Sequence, residues 1–167
     1  MLFTEIYSMK EVARHLIETI EKALPLLHAI DDDTINMKPA ADKWSPKEII
    51  GHMIDSANNN QQKFVRTMEE DGVHFPPYEQ DWWVSSQHYN EENQEQLLQI
   101  WKYMNLHIAH IMEHIPANTL QHNLYIGNTG PYKLEFIVTD YVEHLKHHLK
   151  QIFPNEAFLK NSFEMVY

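Results

Sequence analysis

The sequence predicts an all-α protein, a four-helix bundle with long connections. Four segments of roughly 20 residues repeat apolar side chains at helical spacing, and helix start and stop signals separate them. Glycine is scarce, with 4 residues in 167, which disfavours a turn-rich β-protein. Because the 167 residues contain no repeat and no linker that would divide them, we expect one domain over residues 1–167.

The first helix is predicted to begin at a capping box, in which Ser8 and Glu11 satisfy each other's backbone donors. Pro25 lacks a backbone donor and clashes with the preceding turn, so we expect it to kink or break this helix. Residues 31–42, which include Pro39, are predicted to form a loop. The helical period is carried by five apolar positions, Val12, Leu16, Ile20, Ala23 and Leu27.

The second helix has the clearest start signal in the chain. Ser45 is a good N-cap, Pro46 occupies the first helical position, where proline is tolerated, and Glu48 completes a capping box. We expect the helix to run to about Glu70 and to be stopped by Gly72.

The last two helices are bounded by prolines. The third is predicted to begin after Asn90 and to end before Pro116. The fourth is predicted to run from about Lys133 to near Phe153, because Pro154 cannot continue a helix.

Two long connections join these helices. Residues 71–90 form the first, with a short helix expected near residues 83–88, and residues 117–132 are predicted to be loop. Connections of this length allow helices that are consecutive in the chain to be non-neighbours in the bundle.

Composition excludes several classes of function. The chain has 13 Lys and Arg against 24 Asp and Glu, a formal charge of −11, which argues against binding nucleic acid. It has no cysteine, which removes disulfides, Cys-ligated zinc and any protein thiol nucleophile. No apolar run approaches the ~20 residues of a membrane span, and no signal peptide is visible. We therefore expect a soluble cytoplasmic protein without membrane contact.

The 12 histidines are the main candidates for functional residues. His144 and His148 are four residues apart, so they lie on one face of the fourth helix and can both reach one metal ion. A helical wheel places His148 within the buried stripe, His144 at its margin and His147 towards solvent. The alternative is a partly buried pair that hydrogen-bonds to its neighbours.

Other histidines are weaker candidates. The wheel places His107, His110 and His114 on the flank or the solvent side of the third helix, so we interpret them as surface residues. His52 lies away from the centre of the apolar stripe of the second helix, and its periodicity alone favours a position at the edge of the core.

Two motifs change the interpretation of His52. The string KWSPKEIIGHMIDS at residues 43–56 resembles the second-helix motif of the DinB-like superfamily. His144, His148, Gln151 and Ile152 resemble that family's last helix, and residues 81–89 resemble its middle connection less specifically. Order and spacing agree over essentially the whole chain.

The resemblance implies a four-helix bundle with a three-histidine metal site, and the matching positions are His52, His144 and His148. The family includes bacillithiol S-transferases, mycothiol-dependent maleylpyruvate isomerases and members assigned only as metal-dependent hydrolases. Three imidazoles with open coordination positions are typical of a catalytic metal, and zinc or nickel suits them. Such a metal lowers the pKa of a bound water to roughly 7 and deprotonates a bound thiol.

Polar neighbours are expected to orient the imidazoles. Asp55 and Asn59 follow His52 at helical spacing, and Tyr141 and Gln151 flank the pair on the fourth helix. No catalytic group is assigned.

The expected function is that of a metal-dependent enzyme with one divalent ion per chain, acting on a small molecule. It would transfer a low-molecular-weight thiol or hydrolyse its substrate. The alternative is a non-enzymatic bundle that binds metal or ligand and acts as a homodimeric module.

Overall fold

Four long helices form a bundle in the computed structural model of the chain, which describes residues 7–163. In chain order the helices are α1 (Met9–His28), α2 (Asp32–Asn36), α3 (Pro46–Glu69), α4 (Gln80–Ser86), α5 (Gln94–Glu113) and α6 (Leu134–Ile152). The strands are β1 (Val73–Phe75), β2 (Asn123–Ile126) and β3 (Thr129–Lys133). Over the described range, no helix has the length and apolar character to cross a membrane. The all-α prediction is confirmed, with a small sheet added.

The long helices do not pack in chain order. α1 packs against α5 and α6, and α3 packs against the same two helices. The connections from α1 to α3 and from α5 to α6 therefore cross the bundle, whereas residues 70–93 join the neighbouring helices α3 and α5. This arrangement brings α3 alongside α6, the two helices that carry His52 and the His144–His148 pair.

Helix starts follow the sequence signals. The Ser8–Glu11 capping box forms, and at α3 the Ser45 amide donates to Glu48 at 2.8 Å. α3 ends at Glu69, and Gly72 adopts a φ of 85°, in the left-handed region that favours glycine.

The break predicted at Pro25 does not occur. α1 is continuous from Met9 to His28 with Pro25 in its last turn. The missing N–H leaves only the carbonyl of Glu21 without its helical donor, and both residues are exposed to water.

The loop predicted at residues 117–132 is wrong in large part. β2 and β3 pair there as an antiparallel hairpin, and β1, about 50 residues earlier, adds to β2 in parallel. Gly127 turns the two-residue hairpin loop with a φ of 58°. Strands of three to five residues are too short to show a clear alternating pattern, and β1 pairs with a strand far away in the sequence.

The loop predicted at residues 31–42 contains the one-turn helix α2. Asp31 caps it by accepting from the Thr34 amide at 2.8 Å. Five residues are too few for a helical period to appear in the sequence. The short helix predicted near residues 83–88 does form, as α4, but begins at Gln80.

Candidate metal centre

Three histidines from two helices converge inside the bundle. His148 Nε2 lies 3.1 Å from His52 Nε2 and 3.1 Å from His144 Nε2. Ligand atoms of all three lie within 4.8 Å of one another. His144 and His148 are one turn apart on α6, so both face His52 across the α3–α6 contact.

The three imidazoles are neutral near pH 7. His52 is fully buried, His148 is buried and His144 is partly buried. Burial, which penalises the charged form, and the charges of the neighbouring histidines together lower the pKa of each to about 4. Each ring therefore has one unprotonated nitrogen, which is the form that ligates a metal.

This donor set fits a divalent ion. Two nitrogens that each lie about 2.1 Å from a common ion are roughly 3.0–3.4 Å apart, and both of the close pairs at 3.1 Å fall in that range. All three donors are imidazoles, a set that suits zinc, nickel, copper or iron more than magnesium or calcium.

Gln151 and Trp44 contact the imidazoles from outside the cluster. Gln151 Oε1 lies 3.3 Å from His148 Nδ1, where it accepts a hydrogen bond from the Nδ1–H group and leaves the Nε2 lone pair facing the cluster. The Trp44 ring centroid lies 4.8 Å from that of His52 and 6.4 Å from that of His148.

Comparison with known proteins identifies the family. The profile of the DinB superfamily matches residues 15–152, most of the chain. The chain belongs to the DinB superfamily. None of the curated proteins matches it.

A solved structure supports the fold of this DinB-superfamily chain. YfiT from Bacillus subtilis, described as "a probable metal-dependent hydrolase with an unusual four-helix bundle topology", superposes with a TM-score of 0.80 at 17% identity. The match covers 87% of this chain and 84% of YfiT. The four-helix prediction is therefore confirmed by an independent structure of the same fold.

The edge position that periodicity favours for His52 is wrong. Every residue from 47 to 57 is buried, so the first half of α3 has no solvent face from which a stripe could be recognised. α2, α4, α5 and α6 all pack around α3. A helical wheel cannot identify the inward face of a helix that is buried on all sides. Only the family motif identifies His52 as a ligand candidate.

Asp55 makes no hydrogen bond to the imidazoles among the described residues. It lies three residues after His52, offset from it by about 60° around the axis of α3. Its Oδ1 accepts from the Tyr89 hydroxyl at 2.7 Å and from Gln87 Nε2 at 2.8 Å, while Oδ2 is buried without a partner in the described structure. Burial raises the pKa of the Asp55 carboxyl. Asp55, on α3, therefore holds the connection that follows α4 against α3.

Two other residues expected to orient the imidazoles have different partners. Asn59 donates to the backbone carbonyl of Asp55 at 2.8 Å. The Tyr141 hydroxyl donates to the side-chain oxygen of Asn105 within the core. Neither residue makes a hydrogen bond or ring contact with the three imidazoles within residues 7–163.

The four other histidines placed by the helical wheel lie where it predicts. His107, His110, His114 and His147 are all exposed. Rings of His110 and His114 approach to 4.3 Å, yet among the described residues the one group of three with converging ligand atoms is the α3–α6 cluster.

Trp44 is the contact residue that the sequence analysis missed. It precedes the N-cap Ser45, and Ile49 is the fourth residue of α3, which is the hydrophobic-staple pattern. Both residues line one cavity of about 820 Å³ next to Gln151. The staple could have predicted that Trp44 folds back over α3.

Proposed function

We propose that this protein is a metal-dependent enzyme of small-molecule metabolism, in which His52, His144 and His148 hold one divalent ion, zinc or nickel. The observation that carries the proposal is the convergence of three neutral imidazoles inside the bundle. Burying polar groups costs free energy, so apolar side chains would stabilise the bundle better than three buried histidines without a carboxylate. The cluster is therefore better explained by metal binding than by stability.

The chain supplies three ligands, and three protein ligands leave room for substrate, as in catalytic sites. When bound, the ion would act as a Lewis acid that activates a water or thiol or polarises a substrate carbonyl. Gln151 holds the tautomer of His148, and the Trp44 ring excludes water from one side of His52. His144 is the least buried of the three, so we infer that substrate approaches from its side.

Hydrolysis is the first reaction to test. It is supported by the description of YfiT, whose fold this chain shares, as a probable metal-dependent hydrolase. Thiol transfer is the second candidate. Since the chain has no cysteine, a thiol nucleophile would have to come from a low-molecular-weight cosubstrate.

Turnover by metal-free and metal-loaded protein tests the proposal. Zinc- and nickel-loaded protein should hydrolyse members of a panel of small esters and amides, or couple small thiols to electrophiles. His148→Ala should abolish turnover, while His147→Ala, which removes an exposed neighbour, should retain it. Metal-loaded protein that turns over neither panel would favour the non-enzymatic, homodimeric binding module.

A further inference from the structure

Lys63 stands apart from the other lysines of the described structure. It is partly buried on α3, yet it makes no hydrogen bond and no direct ion pair with any residue between 7 and 163. Every other lysine that is not exposed has a partner for its ammonium group. Lys47 donates to Asn90, Lys146 to Ser162, Lys150 to Asn161, and Lys102 lies over the Tyr103 ring.

Lys63 lies on the same side of α3 as His52. Eleven residues separate the two, which is three helical turns with an offset of about 20°. A long helical side chain points back towards the N-terminus of its helix, and therefore towards the histidine cluster.

The packing of α3 against α6 shows which histidine of the cluster is nearest to Lys63. His52 meets His148, while Phe64 packs on Tyr141 with ring centroids 6.0 Å apart, so α3 and α6 run antiparallel. His144 and Asp140 therefore lie on the Lys63 side. In agreement, the Lys63 charge lowers the pKa of His144, and the Asp140 charge opposes the lowering of the Lys63 pKa by burial.

Partial burial of the Lys63 ammonium without a hydrogen bond or direct ion pair costs free energy, which an anionic ligand bound to it would offset. The protein as a whole carries a formal charge of −11 and repels anions, so an anionic substrate needs a local cation to bind. Lys63 supplies that cation beside the most accessible histidine of the cluster. The charge of Asp140 acts on Lys63 from the α6 side.

We propose that Lys63 is a specificity-determining residue of the metal centre, and that the substrate carries an anionic group bound by its ammonium on the His144 side. This inference rests on the proposed function, since it assigns a substrate class to the same site.

Thiol probes test the inference without knowledge of the substrate. Cobalt-loaded protein is titrated with 3-mercaptopropionate and 2-mercaptoethanesulfonate and with the neutral 3-mercaptopropionamide, and binding is followed by the sulfur-to-cobalt absorption band. A longer pair, 6-mercaptohexanoate and its amide, increases the distance between the thiol and the anionic group that the probes can span. Wild type should bind at least one anionic probe about tenfold more tightly than its neutral partner, the size of a hydrogen bond between charged groups.

Substitutions assign the preference to Lys63. Lys63→Met should abolish the preference and leave the affinity for the amides unchanged, and Lys63→Arg should retain most of it. Arg66→Met removes the same charge from an exposed position of the same helix and should leave the preference intact.

Two results would overturn the inference. One is a wild-type protein that binds anionic and neutral probes equally at every length, a measurement that needs no variant. The other is a preference that survives in Lys63→Met. If cobalt does not bind at all, the proposed metal centre itself fails and the inference falls with it, so the two failures are distinguishable.

Discussion

The Tyr89 ring lies against the backbone of Gly51, so closely that a Cβ atom at position 51 would be 2.1 Å from Tyr89 Cδ2. From there the Tyr89 hydroxyl donates to Asp55 at 2.7 Å. Tyr89 thus fastens the long connection to α3 on both sides of His52, at positions 51 and 55. A glycine in the interior of a buried helix is explained by this close approach.

Gly51→Ala should therefore destabilise the protein. Alanine favours a helix interior by about 0.5–1 kcal/mol over glycine, but overpacking against a buried ring costs about 1–3 kcal/mol. We expect a net loss of about 1–2 kcal/mol in the free energy of unfolding, measured by denaturant titration. Asn58→Ala, at an exposed position of α3, should change it by less than about 0.5 kcal/mol. Equal stability of Gly51→Ala and wild type would show that Tyr89 can move aside freely.

The metal-free protein should lose stability on acidification. The pKa of each cluster histidine is about 4 in the folded protein against an ordinary 6.5. Between these values the unfolded chain binds more protons, so the free energy of unfolding falls as pH falls from about 6.5 to 4. Denaturant titrations across this range should show a shallower decline for His52→Leu, which removes one buried titrating group. His107→Leu is the control at an exposed position of α5 away from the cluster, and it should keep the wild-type slope.

Metal removal should leave the fold intact. The core does not depend on the three histidines, since buried apolar side chains from all four long helices form one cluster. A chelator should lower the melting temperature of metal-loaded protein, because binding to the folded state stabilises it. Helical circular dichroism at room temperature should stay unchanged. Unfolding on chelation would instead identify a structural site of the zinc-finger kind.

The sequence predicts the four long helices well because their signals are local. Capping boxes at Ser8 and Ser45 fix two starts, and the four-residue spacing of His144 and His148 sets both on one face of α6. β1 was missed because its pairing with β2 spans about 50 residues, and the hairpin was missed because its strands are only four and five residues long.

The limits of sequence reasoning at the candidate site are also physical. Periodicity misplaced His52 because the first half of α3 is buried on every side. Helical spacing suggested Asp55 as a residue that orients an imidazole. A residue close to His52 along the helix does so only if its side chain is directed towards the ring. The partners of Asp55, Gln87 and Tyr89, come from a connection whose path no local pattern predicts.

Metal stoichiometry tests the central claim most directly. Isothermal titration of chelator-treated protein with zinc and with nickel should give one ion per chain for wild type and for His147→Ala. A variant with His107, His110 and His114 all replaced by alanine should also bind one ion, which removes the exposed α5 histidines as its source. His52→Ala, His144→Ala and His148→Ala should each lose the site while keeping helical circular dichroism. One tightly bound ion in all three of these variants would contradict the assignment of the centre to the α3–α6 cluster.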